Sequence, residues 1–416
     1  MDIFKTLNDV CAFKSVAQHT NDPQAPFGPE VNKALLYVLD LCESFGFRTK
    51  NCDNMIGWAE IGEGEDLFGI LVHLDVVPAG NGWDYEPFAA TVDRDLIYGR
   101  GVTDDKGPAV ASIYAMKDLL DSKAPLKKRI RIIFGQTEES GGWTDMAHYK
   151  ETQEIPSMGF TPDADFPAIY GEKGITGFIL SMPKNASGIS DGAGGQAANM
   201  VPDAAWAKVG EQEYRATGVS AHGSKPEDGR NAISILMAGI AEKEPECAFA
   251  KFYCDCIGFD VNGGLLGIAC EDSESGKLTM NAGVLSVMEN EVRVTLDIRY
   301  PVTCPLEKVI NDAKAMVAPY GVTVTVSGGI QPVYMDKDGE LIKKLVGAYK
   351  RVTGRDEAPV VIGGGTYARA MKNIVAFGPM IPGREMTEHQ KNERILVGDF
   401  LLLREIYREA LREICC

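Results

Sequence analysis

Hydrophobic positions along the chain fall into two textures. In the first, up to about residue 174, short continuous apolar runs alternate with helical periodicities. Val31, Leu35, Val38 and Cys42 recur at helical spacing and stop at Gly46, which predicts an amphipathic helix. The run 68–72 is apolar throughout and β-branched at its end, as a strand buried on both faces would be. A hairpin-like stretch over 90–98, a helix over 109–120, a second buried strand over 130–134 and a helix over 143–150 follow.

After Ile175 the runs shorten and alternate, with Gly-rich punctuation at 187–196 and 262–264. Val292, Val294, Leu296 and Ile298 take one face of a predicted strand, and Arg293, Thr295, Asp297 and Arg299 the other. That pattern belongs to a half-covered sheet. Helices predicted over 306–317 and 340–351 flank a strand over 322–326. The first texture returns at 360–362, in GGGTYARAM, at 375–377 and in a long final helix, where Leu396, Phe400, Leu403, Tyr407 and Leu411 form the apolar stripe. The expected fold class is α/β: a mixed-sheet catalytic domain split in sequence (1–174 and 332–416) around an inserted α+β lid domain (175–331).

Composition narrows the functional classes. The chain has 416 residues, 45% hydrophobic and 24% charged, which suits a soluble protein of two or more domains. Its net charge of −17 argues against a nucleic-acid or anionic-membrane partner, where phosphates reward Lys and Arg. The first 15 residues lack a basic n-region and a long apolar core, so no secretory leader is expected. No apolar run approaches a membrane span. The ten cysteines are scattered without zinc-ribbon spacing, which predicts reduced thiols, no disulfide, no chemical role for Cys and a cytoplasmic location.

Candidate chemistry starts at the end of the first buried strand. His73 and Asp75 lie two apart and share a face, the arrangement of a metal-binding imidazole steadied by a carboxylate. GRGVTDDKGP puts Asp104 and Asp105 in a turn before the helix that Pro108 helps to start. Glu138 and Glu139 follow the second buried strand, where an open α/β sheet presents functional groups. One of the pair can bind metal while the other handles a proton. Asp163 and Asp165, in TPDADFP, share a face, and either could be a ligand. His389 comes last, in FGPMIPGREMTEHQKNE, whereas His19 reads as a loop residue and His148 as a helix-surface one. No Cys/His arrangement competes.

The ordered set GILVHLDVVP, GRGVTDDKGP, FGQTEES, TPDADFP, SAHGSKPEDGRNA, LDIRYP, IGGGT and FGPMIPG…EH resembles the di-metal aminoacylase/carboxypeptidase-G/carnosinase metallopeptidase family over nearly the whole chain. It looks closest to the PepV-type dipeptidases. The resemblance implies that Asp104 bridges two divalent cations, with His73 and Asp163 completing one and Glu139 and His389 the other. It makes Asp75 the orienter of His73 and Glu138 the general base, and it implies a cis peptide between Asp104 and Asp105. His222 would steady the oxyanion, and Asn199 and Arg299 would contact substrate. Arg299 and the backbone N–H groups of Gly364, Gly365 and Thr366, running from a strand into a helix, would clamp the substrate carboxylate. Zn²⁺ suits the mixed N/O ligand set best, with Mn²⁺ or Co²⁺ tolerated. The implied activity is hydrolysis of short unblocked dipeptides. The alternatives are an N-acyl-amino-acid deacylase on the same scaffold and a catalytically silent metal- or peptide-binding protein, against which an intact Glu138 speaks. The only partner expected is a small peptide, and the long insert leans towards a monomer, with a dimer as the alternative.

Overall fold

A computed structural model describes residues 2–416 and divides the chain into two compact units. The first comprises Met1–Tyr170, Met335–Val360 and Gly365–Cys416; the second comprises Gly171–Tyr334 and Val361–Gly364. The boundaries therefore fall a few residues from the expected 174 and 332. Val361–Gly364, expected with the first domain, belongs to the second unit.

The first unit is built on the strand Leu67–His73, every residue of which is buried. It runs parallel to Arg129–Gly135 on one side and to Met158–Thr161 on the other. Ile374–Ala376 extends the parallel set, and the hairpin Arg48–Cys52 with Ile56–Ile61 closes the opposite side antiparallel. The result is the mixed α/β sheet the pattern predicts. Leu71 and Ile133 pack on one face against Met146, Tyr149 and Tyr367. The final helix, Val397–Cys415, lies along Lys106–Asp121 and Glu340–Thr353, and its Tyr407 stacks on Phe160 of the sheet at 5.6 Å. The helix Ile3–Cys11 has no counterpart in the sequence expectations. Ile3, Leu7 and Val10 form its buried stripe, and Asp2 caps it by accepting the Phe4 N–H.

The second unit is α+β, as expected. Its antiparallel sheet runs Gln212–Thr217, Ala204–Val209, Asp191–Gly194, Thr279–Val287, Glu291–Tyr300, Gly174–Pro183, Thr323–Ile330. Val292, Val294, Leu296 and Ile298 bury one face under the helices Ala232–Lys243, Ala248–Cys256 and Leu306–Val317. The other face is only partly open. Arg293 and Thr295 are half-buried, but Asp297 and Arg299 are each 6% exposed, so the polar side of this strand is covered at its C-terminal end.

Two further expectations are corrected. Cys270 and Cys304, 34 residues apart, are paired as a disulfide with Cα atoms 6.9 Å apart. The pairing joins two loops that Asp272 also ties, by accepting the N–H and hydroxyl of Thr303. Spacing alone could not show it. The IGGGT turn leads only into a four-residue 3₁₀ turn, Tyr367–Ala370, whose Ala368 N–H is already capped by the Thr366 hydroxyl at 3.1 Å. It is no helix N-terminus. Among the described residues no helix is long and apolar enough to cross a membrane.

Candidate metal centre

The first unit brings the acidic and histidine side chains of the buried strand ends together. His73 ends its strand with its ring buried; Nδ1 contacts the Asp75 carbonyl at 2.9 Å and lies 3.5 Å from the Asp75 carboxylate. Asp75 also accepts the backbone N–H groups of Glu138 (3.2 Å) and Glu139 (3.1 Å). The Asp75 carbonyl thus holds the imidazole, and the buried Asp75 carboxylate pins the turn that carries both glutamates.

Asp104 stands between the two histidines. Its Oδ1 lies 2.9 Å from His73 Nε2, and its Oδ2 lies 3.0 Å from His389 Nε2. His389, held at a positive φ of 61°, also meets Glu139 at 3.1 Å. The peptide Asp104–Asp105 is cis, as the resemblance implied. Asp105 turns the other way, and its Oδ2 accepts the His73 backbone N–H at 3.1 Å.

Two sets of ligand atoms, each within 4.8 Å of one another, could each hold a cation: His73, Glu138 and Asp163, and Asp104, Glu139 and His389. Asp163, not Asp165, joins the first set, with Oδ2 3.9 Å from His73 Nε2. Glu138 joins it as well, beside the positions expected to be ligands.

Electrostatics show what charge this cluster calls for. Burial pushes the Asp163 carboxyl up to about 7, and the Asp104 charge adds to the rise. Burial, then Asp163, holds Glu138 well above the usual carboxylate range, and burial, then Asp104, raises Glu139. Burial also pushes Asp104 up, but hydrogen bonds from His389 and His73 outweigh it and carry that carboxyl below its usual range. Hydrogen bonds to Asp104 and then Glu139 push His389 up to about 11. Like charges this close cannot all ionise without compensating positive charge. Protonated imidazoles meet the need only partly. A pair of divalent cations sharing Asp104 would meet it with the N/O donors present, so the residues fit such a group.

Sequence reasoning missed the residues that hold this arrangement in place. Asp145 is buried and accepts the N–H groups of Gln136 (2.6 Å) and Thr137 (3.0 Å), the Thr137 hydroxyl (2.7 Å) and the Tyr367 hydroxyl (2.6 Å). It fixes the strand end that leads into Glu138. A Cβ at Gly135 would collide with the Tyr367 ring, so only glycine there lets that hydroxyl reach Asp145. Glu393 holds the Asp104 turn from the opposite side. Neither residue matches a motif, since their partners are mostly backbone N–H groups.

Of the remaining candidates, His222, Asn199, Arg299 and Gly364 fall in the second unit. In the second unit, His222 is exposed, with Nδ1 2.6 Å from the Ser224 hydroxyl, and the carbonyl of exposed Asn199 accepts the Gly223 N–H at 2.7 Å. Arg299 donates Nε to Asp297 (2.9 Å) and Nη1 to the Gly363 carbonyl (2.8 Å), so two donors of its fork are spent within its own unit. Gly364 belongs to that unit, Gly365 and Thr366 to the first. His148 sits 3.1 Å from Asp53, and His19 packs edge-on against Phe27.

Comparison with known proteins agrees with this geometry. The sequence profile of peptidase family M20/M25/M40 matches residues 69–413. YtjP of Bacillus subtilis, provisionally named a dipeptidase, is 37% identical over 453 aligned positions, covering 99% of this chain and 97% of its own. Human carnosine dipeptidase 1 superposes with a TM-score of 0.63 at 16% identity, over 99% of this chain and 95% of its own. The YXEP protein of Bacillus subtilis, described as a dinuclear metal-binding peptidase, gives a TM-score of 0.55 at 14% identity, over 99% of this chain and 98% of its own. At those identities the two solved structures are alike in fold.

Proposed function

The chain belongs to peptidase family M20/M25/M40, and from that premise we propose a division of labour for a metal-dependent dipeptidase acting on short unblocked peptides. The observation that carries it is Asp104, with one carboxylate oxygen on each histidine. His73 and Asp163 are assigned to one cation, Glu139 and His389 to the other, with Asp104 shared. Two divalent cations, Zn²⁺ foremost and Mn²⁺ or Co²⁺ next, supply Lewis-acid polarisation of the scissile carbonyl and a more acidic water when bound.

The chain's own residues do the rest. Asp75 fixes the His73 ring and, through the two N–H groups it accepts, the Glu138–Glu139 turn. Glu138, held above the usual carboxylate range by burial and then by Asp163, deprotonates the attacking water and returns the proton to the leaving amine. No covalent intermediate is required. His222 is assigned to the oxyanion, and Asn199 and Arg299 to the substrate, on the family motifs they occupy. We place the protein in the cytoplasm as a monomer.

The test is a substrate panel on purified protein. Activity on a free dipeptide should vanish on chelation and return with Zn²⁺ or Mn²⁺, and the N-acetylated dipeptide should turn over poorly. Faster hydrolysis of the acetylated form would make the protein a deacylase. Metal binding without any turnover would make it a binding protein. His222→Ala should lower kcat on the order of 10²–10³-fold with little change in KM, because an oxyanion donor acts only in the transition state. A rise in KM alone would remove that role.

A further inference from the structure

Four residues beyond His389, Glu393 carries a carboxylate with no exposed surface. Its Oε1 accepts the backbone N–H groups of Gly101 (3.0 Å), Thr103 (2.9 Å) and Asp104 (3.2 Å). Its Oε2 accepts the Gly101 N–H at 3.1 Å and Arg100 Nη1 at 2.7 Å. The Glu393 carbonyl takes the Gly99 N–H at 3.0 Å. Arg100 is itself 1% exposed and lies over the Trp83 ring at 5.4 Å.

Residues 99–104 belong to no helix or strand, so their N–H groups have no ladder to join. Buried N–H groups need acceptors, and one side-chain carboxylate supplies those of Gly101, Thr103 and Asp104 here. The turn that it holds ends in Asp104. Its own loop carries His389, and the adjoining strand Arg394–Leu396 already pairs with Leu96–Tyr98. Backbone pairing brings the two segments side by side; the carboxylate sets their fine register.

We infer that Glu393 is the positioning residue of the metal centre, fixing the Asp104 turn against the His389 loop so that the shared carboxylate can serve both cations. This rests on the assignment of Asp104 and His389 as cation ligands. A residue that only stabilised the fold would influence melting. A positioning residue changes how tightly the centre holds its cations.

Glu393→Gln conserves volume and one acceptor oxygen. Its amide group must then face either Arg100 and Gly101 or Thr103 and Asp104, setting donor against donor. With Zn²⁺ as the probe, competed against a chromogenic chelator, the wild-type chain should bind two ions and Glu393→Gln should bind the weaker of them roughly 10–100-fold less tightly. Activity lost at limiting Zn²⁺ should recover in excess. Asp399→Asn removes the acceptor that Arg384 Nε bonds at 2.7 Å, outside the cluster, and should lower Tm without moving Zn²⁺ affinity. Wild-type affinity at both sites in Glu393→Gln overturns the inference, whatever its Tm. Absence of Zn²⁺ binding in the wild-type chain would instead overturn the metal-centre assignment. If Glu393→Gln does not fold, Arg100→Lys, which keeps the charge but loses the fork, replaces it in the same titration. Weakened binding there supports the inference, and unchanged affinity overturns it.

Discussion

Glu138→Gln should leave the chain folded and loaded with metal while its turnover of a free dipeptide falls by about 10²–10⁴-fold, the range that general acid–base catalysis contributes. The substitution changes one atom. It leaves the Glu138 N–H on Asp75 and the Glu138 carbonyl on the Trp143 indole, so the turn should hold its place. What disappears is a carboxylate that burial and then Asp163 have moved up from its ordinary range. The geometry also names the competing role. Glu138 offers an oxygen to the same set as His73 and Asp163, where it could serve as a ligand instead. Elemental analysis separates the two. Two ions per chain with little turnover make Glu138 the base. One ion per chain makes it a ligand, and unchanged turnover with both ions present removes it from the chemistry.

The main frame was legible because its signals are local. The strand Leu67–His73 announces itself by an unbroken apolar run, and the final helix by a stripe at helical spacing. His73 and Asp75 could be paired on paper because side chains two apart on an extended chain share a face. The cis peptide at Asp104, by contrast, came only through the family resemblance. What stayed hidden depends on partners far away in sequence. Glu393 binds a turn 289 residues earlier, through backbone groups that leave no residue signature. Arg299 and Asp297 could be placed on one polar strand face, but the Gly363 carbonyl that also holds Arg299 lies 64 residues on. The helix Ala232–Lys243 is apolar over much of its surface in the second unit's core, so no amphipathic stripe marked it.

Asp104→Ala should abolish the paired centre outright. Its two oxygens are the link between His73 and His389, and among the described residues no other carboxylate touches both rings at hydrogen-bond distance. A partner outside the ligand set typically costs roughly 10–100-fold in metal affinity or activity, so losing the shared ligand itself should cost more. The turn need not collapse with the side chain, because the Asp104 N–H is held by Glu393 and the neighbouring Gly101 and Thr103 N–H groups by the same carboxylate. A thermal shift reads this without any substrate. Ligand present at a hundredfold excess over its Kd stabilises the folded state by about 2.7 kcal/mol per site, so wild-type Tm should climb as Zn²⁺ is added to the chelated protein. Glu138→Gln should show the same climb, and Asp104→Ala a much smaller one. Two tightly held ions in Asp104→Ala, or a wild-type climb in its Tm, would show that each cation is held without the bridge and that Asp104 belongs to one site alone.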